Sequence, residues 1–226
     1  ARRAPDLPAV MQAAAIDAFG PPSALTIHTL PVPEPGPHDV LIAIHAAGVG
    51  IWDARIRQGV WAEGQERFPL VLGTDGAGTV VAAGAGVDRF QLFDQVWAYE
   101  YENPKGGFYA PYVAVRADHV GHVPKQLDLL HAGASAVTGL TALQGIDDHL
   151  DVRHRETLLI FGASGAVGTL AIQFAKRRLA RVIADIRPAI IAAVSASSAS
   201  RSMTLPPHSV LSNAISPPKS TPPSGR

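Results

Sequence analysis

The sequence predicts an α/β protein with a β-rich N-terminal domain, a helical linker and a C-terminal doubly wound parallel unit that is cut short. Short alternating strands separated by Gly and Pro between residues 11 and 125 indicate the first part. Helical spacing of apolar residues between 127 and 150 indicates the second. A buried strand that passes through a glycine-rich turn into a helix, at residues 157–178, indicates the third.

The composition excludes several classes of protein. With 226 residues and 47% hydrophobic content, the chain can form one large or two modest cores. Its 19 basic and 19 acidic residues cancel, so bulk charge gives no reason to expect nucleic acid or an anionic membrane as partner, and no basic stripe supports nucleic-acid binding. The absence of cysteine excludes disulfides, thiolate zinc sites and cysteine nucleophiles, and it agrees with a cytoplasmic enzyme.

The N-terminus predicts neither a membrane span nor a secretory signal. No apolar run approaches the roughly eighteen residues that cross a bilayer. The first residues are interrupted by Pro5, Asp6 and Pro8, which are unsuited to the apolar part of a signal peptide. We therefore interpret residues 1–10 as a loose leader and place the start of the folded part at Met11.

The β-rich part extends over residues 11–125. On the third strand, Val40, Ile42 and Ile44 share one face. His45 has the opposite phase and is expected to be half exposed or hydrogen-bonded rather than a metal ligand. Trp52–Gln58 is a short helix, and Gly73–Val87 is predicted to be a glycine-punctuated hairpin. The other predicted strands are Gln12–Phe19, Leu25–Leu30, Val40–Ala46, Val96–Tyr101 and Tyr109–Val115.

The linker, residues 126–155, is predicted to be helical over Leu127–Leu150, with Gly139 as a break between two helices. After it, Thr157–Phe161 has the continuous apolar character of a strand that is covered on both faces. Val167, Leu170, Ala171 and Phe174 then follow helical spacing, and a second strand at Ala180–Ala184 completes a β–α–β unit.

Between this strand and helix stand three glycines with distinct expected roles. Gly162 allows a tight turn, Gly165 lets a backbone approach a diphosphate, and Gly168 lets the helix lie close to the strand. Free N–H groups at the start of the helix would then face negative charge. Ordinary packing of small residues in a strand-to-helix turn is the alternative interpretation.

Five segments of the chain carry a wider pattern: PVPEPGPHDVLIAIHAAGVG, LGTDGAGTVVAAGAGV, GGFYAPYVAV, GLTAL and FGASGAVGTLAIQFAK. Together they resemble the zinc-independent quinone oxidoreductase branch of the medium-chain dehydrogenase/reductase superfamily, over about Met11 to Ala184. The resemblance implies a GroES-like domain at 11–125 and a partial Rossmann domain at 156–194. It also implies NADPH as cofactor, in preference to NAD, and hydride transfer to a quinone or an α,β-unsaturated carbonyl.

The resemblance also implies site residues. The pyrophosphate would be held by the turn, and Thr141 would approach the nicotinamide, unless its hydroxyl only satisfies the backbone at a helix start. Asp185, which ends the second strand, would favour NAD, whereas Arg187 could pair with a 2′-phosphate. No catalytic residue is assigned. The residues of the turn are Gly162, Ala163, Ser164, Gly165, Ala166, Val167 and Gly168.

Several positions depart from relatives. Zinc-dependent members place a cysteine near Gly50 and a His-Glu pair where Thr74 and Asp75 stand, so we expect no catalytic zinc and assign no metal ligand. Many quinone reductases have Asn and Tyr where this chain has Gly50 and Arg55. Trp52 and Asp53 remain as polar or aromatic candidates on that loop, with core packing and helix capping as their structural alternatives.

Beyond Asp185 the family pattern stops. Ile186–Val194 could form one more strand or helix, and the Ser- and Pro-rich residues 195–226 are predicted to be disordered. One explanation is a change of reading frame near this point. Two function hypotheses therefore stand: a zinc-free NAD(P)H-dependent oxidoreductase, and a catalytically inactive binding module that derives from one. An exposed sheet edge would allow a homodimer.

Overall fold

The computed structural model describes residues 6–61 and 67–185. The chain divides into two compact units, residues 1–137 and residues 138–226. Helices occupy α1 (Ile51–Arg57), α2 (Leu129–Gln144) and α3 (Ala166–Arg177). The strands of the described residues are β1 (Val10–Ile16), β2 (Thr26–Pro31), β3 (Asp39–Ala47), β4 (Leu70–Val71), β5 (Asp75–Ala83), β6 (Gln95–Tyr99), β7 (Tyr112–Arg116), β8 (Val120–His122), β9 (Thr157–Phe161) and β10 (Arg181–Asp185).

The first unit is built on a five-stranded antiparallel sheet in the order β7-β3-β5-β6-β8. Its two outer strands, β7 and β8, are consecutive in the chain and are joined by a single turn of 3-10 helix at Ala117–His119. The sheet must therefore curl until its outer strands approach each other, as in a half-barrel. Val40, Ile42 and Ile44 pack together inside it, as predicted, and His45 is more exposed than predicted.

A smaller sheet in the order β2-β1-β4 completes this unit. The two predicted strands β1 and β2 pair in antiparallel orientation, and alternate residues of β1, including Met11, Ala13 and Ala15, enter a second core. The first strand begins at Val10, one residue before the predicted start of the folded part. The carbonyl oxygen of Ala9 accepts the Val32 N–H at 3.1 Å, so the predicted leader is fixed at its end.

Two predictions for the first unit were wrong. Residues 73–87 do not form a hairpin. Asp75–Ala83 is one continuous strand, and the next strand along the chain, β6, pairs with it in antiparallel orientation. Gly76 and Gly78 lie inside β5, and its ladder with β3 continues past them with a register shift between Ile44 and Ala46. The short strands β4 and β8 were also missed, because two or three residues carry no readable alternation.

The structure also corrects the predicted break in helix α2. It continues through Gly139 to Gln144 and then widens into a π-helical turn at Gly145–His149. A Cβ atom at Gly139 would meet only the Leu170 Cδ1 atom, at 3.9 Å, so nothing in the surroundings forces a break. A single glycine costs a helix about 1 kcal/mol, which packing can offset.

In the second unit, β9 and β10 pair in parallel, with Thr157 opposite Arg181 and Phe161 opposite Asp185. Helix α3 connects them, so the predicted β–α–β unit is present. Ala171 is buried against Leu158 and Ile160, and the other members of the predicted stripe are partly buried there. Leu159 and Phe161 are only half buried, so within the described residues β9 is fully covered on one face.

The predictions for Ile186–Val194 and for residues 195–226 lie outside the described residues, as does the predicted site residue Arg187. No helix within residues 6–61 and 67–185 is long and apolar enough to cross a membrane.

Candidate nucleotide-binding site

The glycine-rich turn lies at the end of β9, where the chain changes from strand to helix. Gly162 has a φ angle of +64°, a conformation that glycine adopts without the strain other residues would meet. The Gly165 N–H donates to the Gly162 carbonyl oxygen at 2.9 Å and closes the turn. Gly165 is extended, and α3 begins at the next residue, Ala166.

Gly168 lies where the first turn of α3 passes over the strand-to-helix turn. A Cβ atom there would lie 2.5 Å from the Gly162 carbonyl oxygen and 2.7 Å from the Ala163 Cα atom. These are backbone atoms and cannot rotate away. The third glycine therefore allows the close helix–strand approach that was predicted for it.

The start of α3 presents unsatisfied donors to solvent. Among the described residues, the main-chain N–H groups of Ser164, Ala166 and Val167 have no hydrogen-bond acceptor. Ser164, Gly165 and Ala166 are exposed, and the first turn of the helix holds no acidic residue. The helix dipole adds positive potential at this end, and Lys176 and Arg177 lie at the other. These groups fit an anion such as a diphosphate.

Asp185 lies at the same edge of the sheet as the turn. Its carbonyl oxygen accepts the Ala163 N–H at 3.1 Å, which joins the end of β10 to the turn directly. Its side chain is half buried. The structure thus brings Asp185 and the glycine-rich turn together, the arrangement in which an acid could contact the ribose of a dinucleotide.

Thr141 also belongs to the second unit, but to a different element. It lies in the last turn of α2 and is half buried. The alternative interpretation of its hydroxyl, as a group at a helix start, was wrong because α2 begins twelve residues earlier, at Leu129.

A second group of polar side chains was not predicted to act together. Asp75, the first residue of β5, is 2% exposed, and its Oδ2 atom accepts the Val137 N–H at 3.0 Å. Asp53, on α1, is 5% exposed, and its Oδ2 atom accepts the Gly50 N–H at 2.7 Å, so the predicted helix-capping role is confirmed. Trp52 beside it is half buried.

Burial makes ionisation of both acids less favourable. It raises the pKa of Asp53, and it raises the pKa of Asp75 to about 6, with the negative charge of Asp53 adding to the rise. Burial and the neighbouring Asp53 also raise the pKa of Tyr109. The sequence signal was an acid inside an apolar strand, TDGAGTVV, but its partners come from distant segments.

Two polar atoms of this group have no partner. In the described part of the chain, no hydrogen bond reaches the Oδ1 atom of Asp75 or the Trp52 Nε1 atom, whereas the Tyr109 hydroxyl interacts with the Asp53 carboxyl group. Buried polar atoms are normally paired, so each exception calls for a structural or functional reason. Within the described ranges, no three His, Asp or Glu side chains are grouped so that they could hold a metal ion.

Comparison with known proteins gives consistent similarities. The family described as "Alcohol dehydrogenase GroES-like domain" matches residues 36–125. Human quinone oxidoreductase is 34% identical over 169 residues, which cover 74% of this chain and 50% of the human protein.

Solved structures show similarity to the same kinds of protein. Quinone oxidoreductase from Coxiella burnetii matches with a TM-score of 0.69 and 33% identity, over 77% of this chain and 56% of that one. An alcohol dehydrogenase superfamily protein from Novosphingobium aromaticivorans matches with a TM-score of 0.72 and 35% identity, over 80% of this chain and 54% of that one.

The chain spans about half the length of the curated relatives it matches. Within that span, the curled antiparallel sheet, the parallel β–α–β unit and the glycine-rich turn follow one another in the order that the resemblance implied. The chain therefore belongs to the medium-chain dehydrogenase/reductase superfamily, in its quinone oxidoreductase-like branch.

Proposed function

We propose that the protein binds a nicotinamide dinucleotide, NADPH in preference to NADH, and reduces a quinone or an α,β-unsaturated carbonyl compound without zinc. The observation that carries this proposal is the set of unsatisfied N–H groups at Ser164, Ala166 and Val167, at the start of a twelve-residue helix. When bound, the reduced nicotinamide supplies the hydride. The branch to which the chain belongs supports the substrate class.

The role of the chain is to bind and orient. The seven residues from Gly162 to Gly168 would hold the pyrophosphate, with the amides of Ser164, Ala166 and Val167 as donors. Thr141 would contact the nicotinamide end. Asp185 would lie beside the ribose of the adenosine half, where Arg187 could pair with a 2′-phosphate.

A charge placed at the start of α3 tests this site. In Ala166→Glu, a carboxylate on an exposed residue would repel the diphosphate, while the helix dipole would favour it and keep the fold intact. We expect the Kd for NADPH, measured by fluorescence titration, to rise at least about tenfold, with an unchanged or higher Tm. A tenfold change corresponds to about 1.4 kcal/mol of binding free energy.

Gln173→Glu is the matched control. It adds the same charge to an exposed position of the same helix, seven residues further on and about 10 Å along the axis. It should bind NADPH as the wild type does. Equal weakening in both variants, or saturable binding that Ala166→Glu leaves unchanged, would contradict the proposed site.

The inactive binding module remains as the second candidate, and the departures at Gly50 and Arg55 favour it. Two successive measurements distinguish the two functions. The enzyme binds NADPH saturably and oxidises it when a quinone such as 9,10-phenanthrenequinone is added. The module shows no NADPH binding and no turnover.

Cofactor choice is tested at Asp185. Replacement by Asn removes the charge that would oppose a 2′-phosphate. We expect Asp185→Asn to increase the ratio of NADPH affinity to NADH affinity. An unchanged ratio would mean that this carboxylate does not face the ribose.

A further inference from the structure

The buried acids Asp53 and Asp75 of the first unit have no place in the nucleotide site. Among residues 6–61 and 67–185, no lysine, arginine or histidine forms an ion pair with either acid. The titratable groups that face Asp75 are Asp53, Tyr99 and Tyr109, and none of them is a cation. Two buried carboxylates without a neighbouring cation repel each other and destabilise the fold. Protonation of one of them removes most of this repulsion.

Main-chain groups from two segments meet at this pair. Asp75 accepts the Val137 N–H from α2, and its own carbonyl oxygen accepts the Gly48 N–H at 2.9 Å. Asp53 accepts the Gly50 N–H. A Cβ atom at Gly48 would overlap the Asp75 carboxyl group, so this segment lies directly against it. The protonation state of the pair thus affects α2 and the segment 48–50 together.

The contact with Val137 depends on charge. An ionised carboxylate accepts a stronger hydrogen bond than a neutral acid does. Ionisation of Asp75 therefore strengthens its hydrogen bond to the Val137 N–H of α2, and protonation of Asp75 weakens it.

We propose that Asp75 is a positioning residue, which holds α2 through the Val137 N–H and releases it in part when Asp75 takes up a proton. The effect on the cofactor rests on the proposed function: Thr141 lies one helical turn beyond Val137 in α2. The effect on α2 itself does not depend on that function.

Amide hydrogen exchange tests the hold directly. In the wild type, protection of the Val137 amide should fall about fivefold between pH 8 and pH 5, after correction for intrinsic exchange. Asp75→Asn keeps an acceptor without the charge, so its Val137 protection should stay at the lower value at every pH. Asp53→Asn removes the repulsion and should move the wild-type midpoint to lower pH.

The Ala132 amide is the internal control, because it donates to the Asp128 carbonyl oxygen at the start of the same helix. Its protection should be equal in all three proteins. A Val137 protection that is independent of pH in the wild type, or that is unchanged in Asp75→Asn, would overturn the proposal.

NADPH binding provides the functional readout. We expect Asp75→Asn to raise the Kd about threefold at pH 8 and to match the wild type at pH 5. Asp88→Asn, at an exposed acid of the same unit, should match the wild type at both pH values. Equal Kd values for Asp75→Asn and the wild type at pH 8 would leave Asp75 a structural residue and overturn its positioning role. If no protein binds NADPH, the proposed function fails, and the exchange data alone decide the hold on α2.

Discussion

Glu100 is a buried acid, and ionisation of its carboxyl group lowers the stability of the fold. It follows β6 directly and is 7% exposed. Its Oε2 atom accepts the Arg116 N–H at 3.2 Å, but the Arg116 guanidinium binds Asp118 instead, with Nε 3.0 Å from Oδ1. The His119 Nδ1 atom lies 3.8 Å from Oε1. Burial therefore raises the pKa of Glu100 to about 7.

The sign of the resulting pH dependence follows from this shift. A folded-state pKa above the usual 4.5 means that the folded protein binds the proton more tightly than the unfolded chain. The stabilising contribution is complete below about pH 4.5 and is lost as the pH rises through 7. Glu100→Gln should therefore increase the free energy of unfolding at pH 8 by about 1–3 kcal/mol and leave it nearly unchanged at pH 4.5.

Urea denaturation at the two pH values measures this difference. Glu102→Gln changes the same group at an exposed position nearby, and it should stay within about 0.5 kcal/mol of the wild type at both. A Glu100→Gln variant that is less stable than the wild type at pH 8 would show that the carboxylate is compensated in solution.

Residues of this kind mark where sequence reasoning stops. The capping role of Asp53 was predictable because its partner, Gly50, is three positions away. The burial of Asp75 was not, since it is produced by Gly48 and by Val137, which is 62 residues distant. The same holds for Glu100, whose partner Arg116 belongs to another strand.

At the level of elements, the periodicity of apolar residues predicted the structure correctly where contacts within one element determine it. The spacing of Val167, Leu170, Ala171 and Phe174 predicted α3 and the face that it buries. Glycines were harder to interpret. Gly162 and Gly168 are required by the turn, Gly139 is merely tolerated in α2, and the glycines of β5 lie inside a paired strand. Sequence alone does not distinguish these cases, because the neighbours that do so are not local.

A pair of Gly→Ala substitutions makes this contrast measurable. At Gly139 there is room for a methyl group and the residue is helical, so Gly139→Ala should stabilise the protein by about 0.5–1 kcal/mol. At Gly168 the methyl group would strike backbone atoms, so Gly168→Ala should destabilise it by about 1–3 kcal/mol.

Thermal unfolding with both variants under one condition provides the measurement. Each substitution adds the same methyl group inside a helix, so propensity alone predicts stabilisation for both. A stabilised Gly168→Ala would show that α3 can move away from the turn, and it would weaken the structural argument for the nucleotide site.

At the scale of the whole molecule, each unit contains its own hydrophobic core. The core around Val96 lies in the first unit, and the core around Ile160 lies in the second. The order of the units was readable from the sequence because each carries motifs of one superfamily. The dimer, the cytoplasmic location and the interpretation of the chain beyond Asp185 stay predictions.

Separate cores predict separate responses to cavity-forming substitutions. Ile160→Ala should destabilise the second unit by about 2–5 kcal/mol and leave amide protection in the first unit unchanged. Val96→Ala should do the reverse, with a smaller effect because fewer methyl groups are lost. Hydrogen exchange followed by mass spectrometry distinguishes the units. A uniform loss of protection in either variant would show that they unfold cooperatively.

The short connection at Ala117–His119 has a consequence for changes in chain length. Strand β7 keeps β3 as its hydrogen-bonded neighbour and β8 keeps β6, so neither strand depends on this connection for its pairing. An insertion there would therefore leave every ladder intact while relaxing the curvature of the sheet. Insertions at this partly exposed connection should therefore be tolerated better than insertions within β7 or β8, which would shift a ladder.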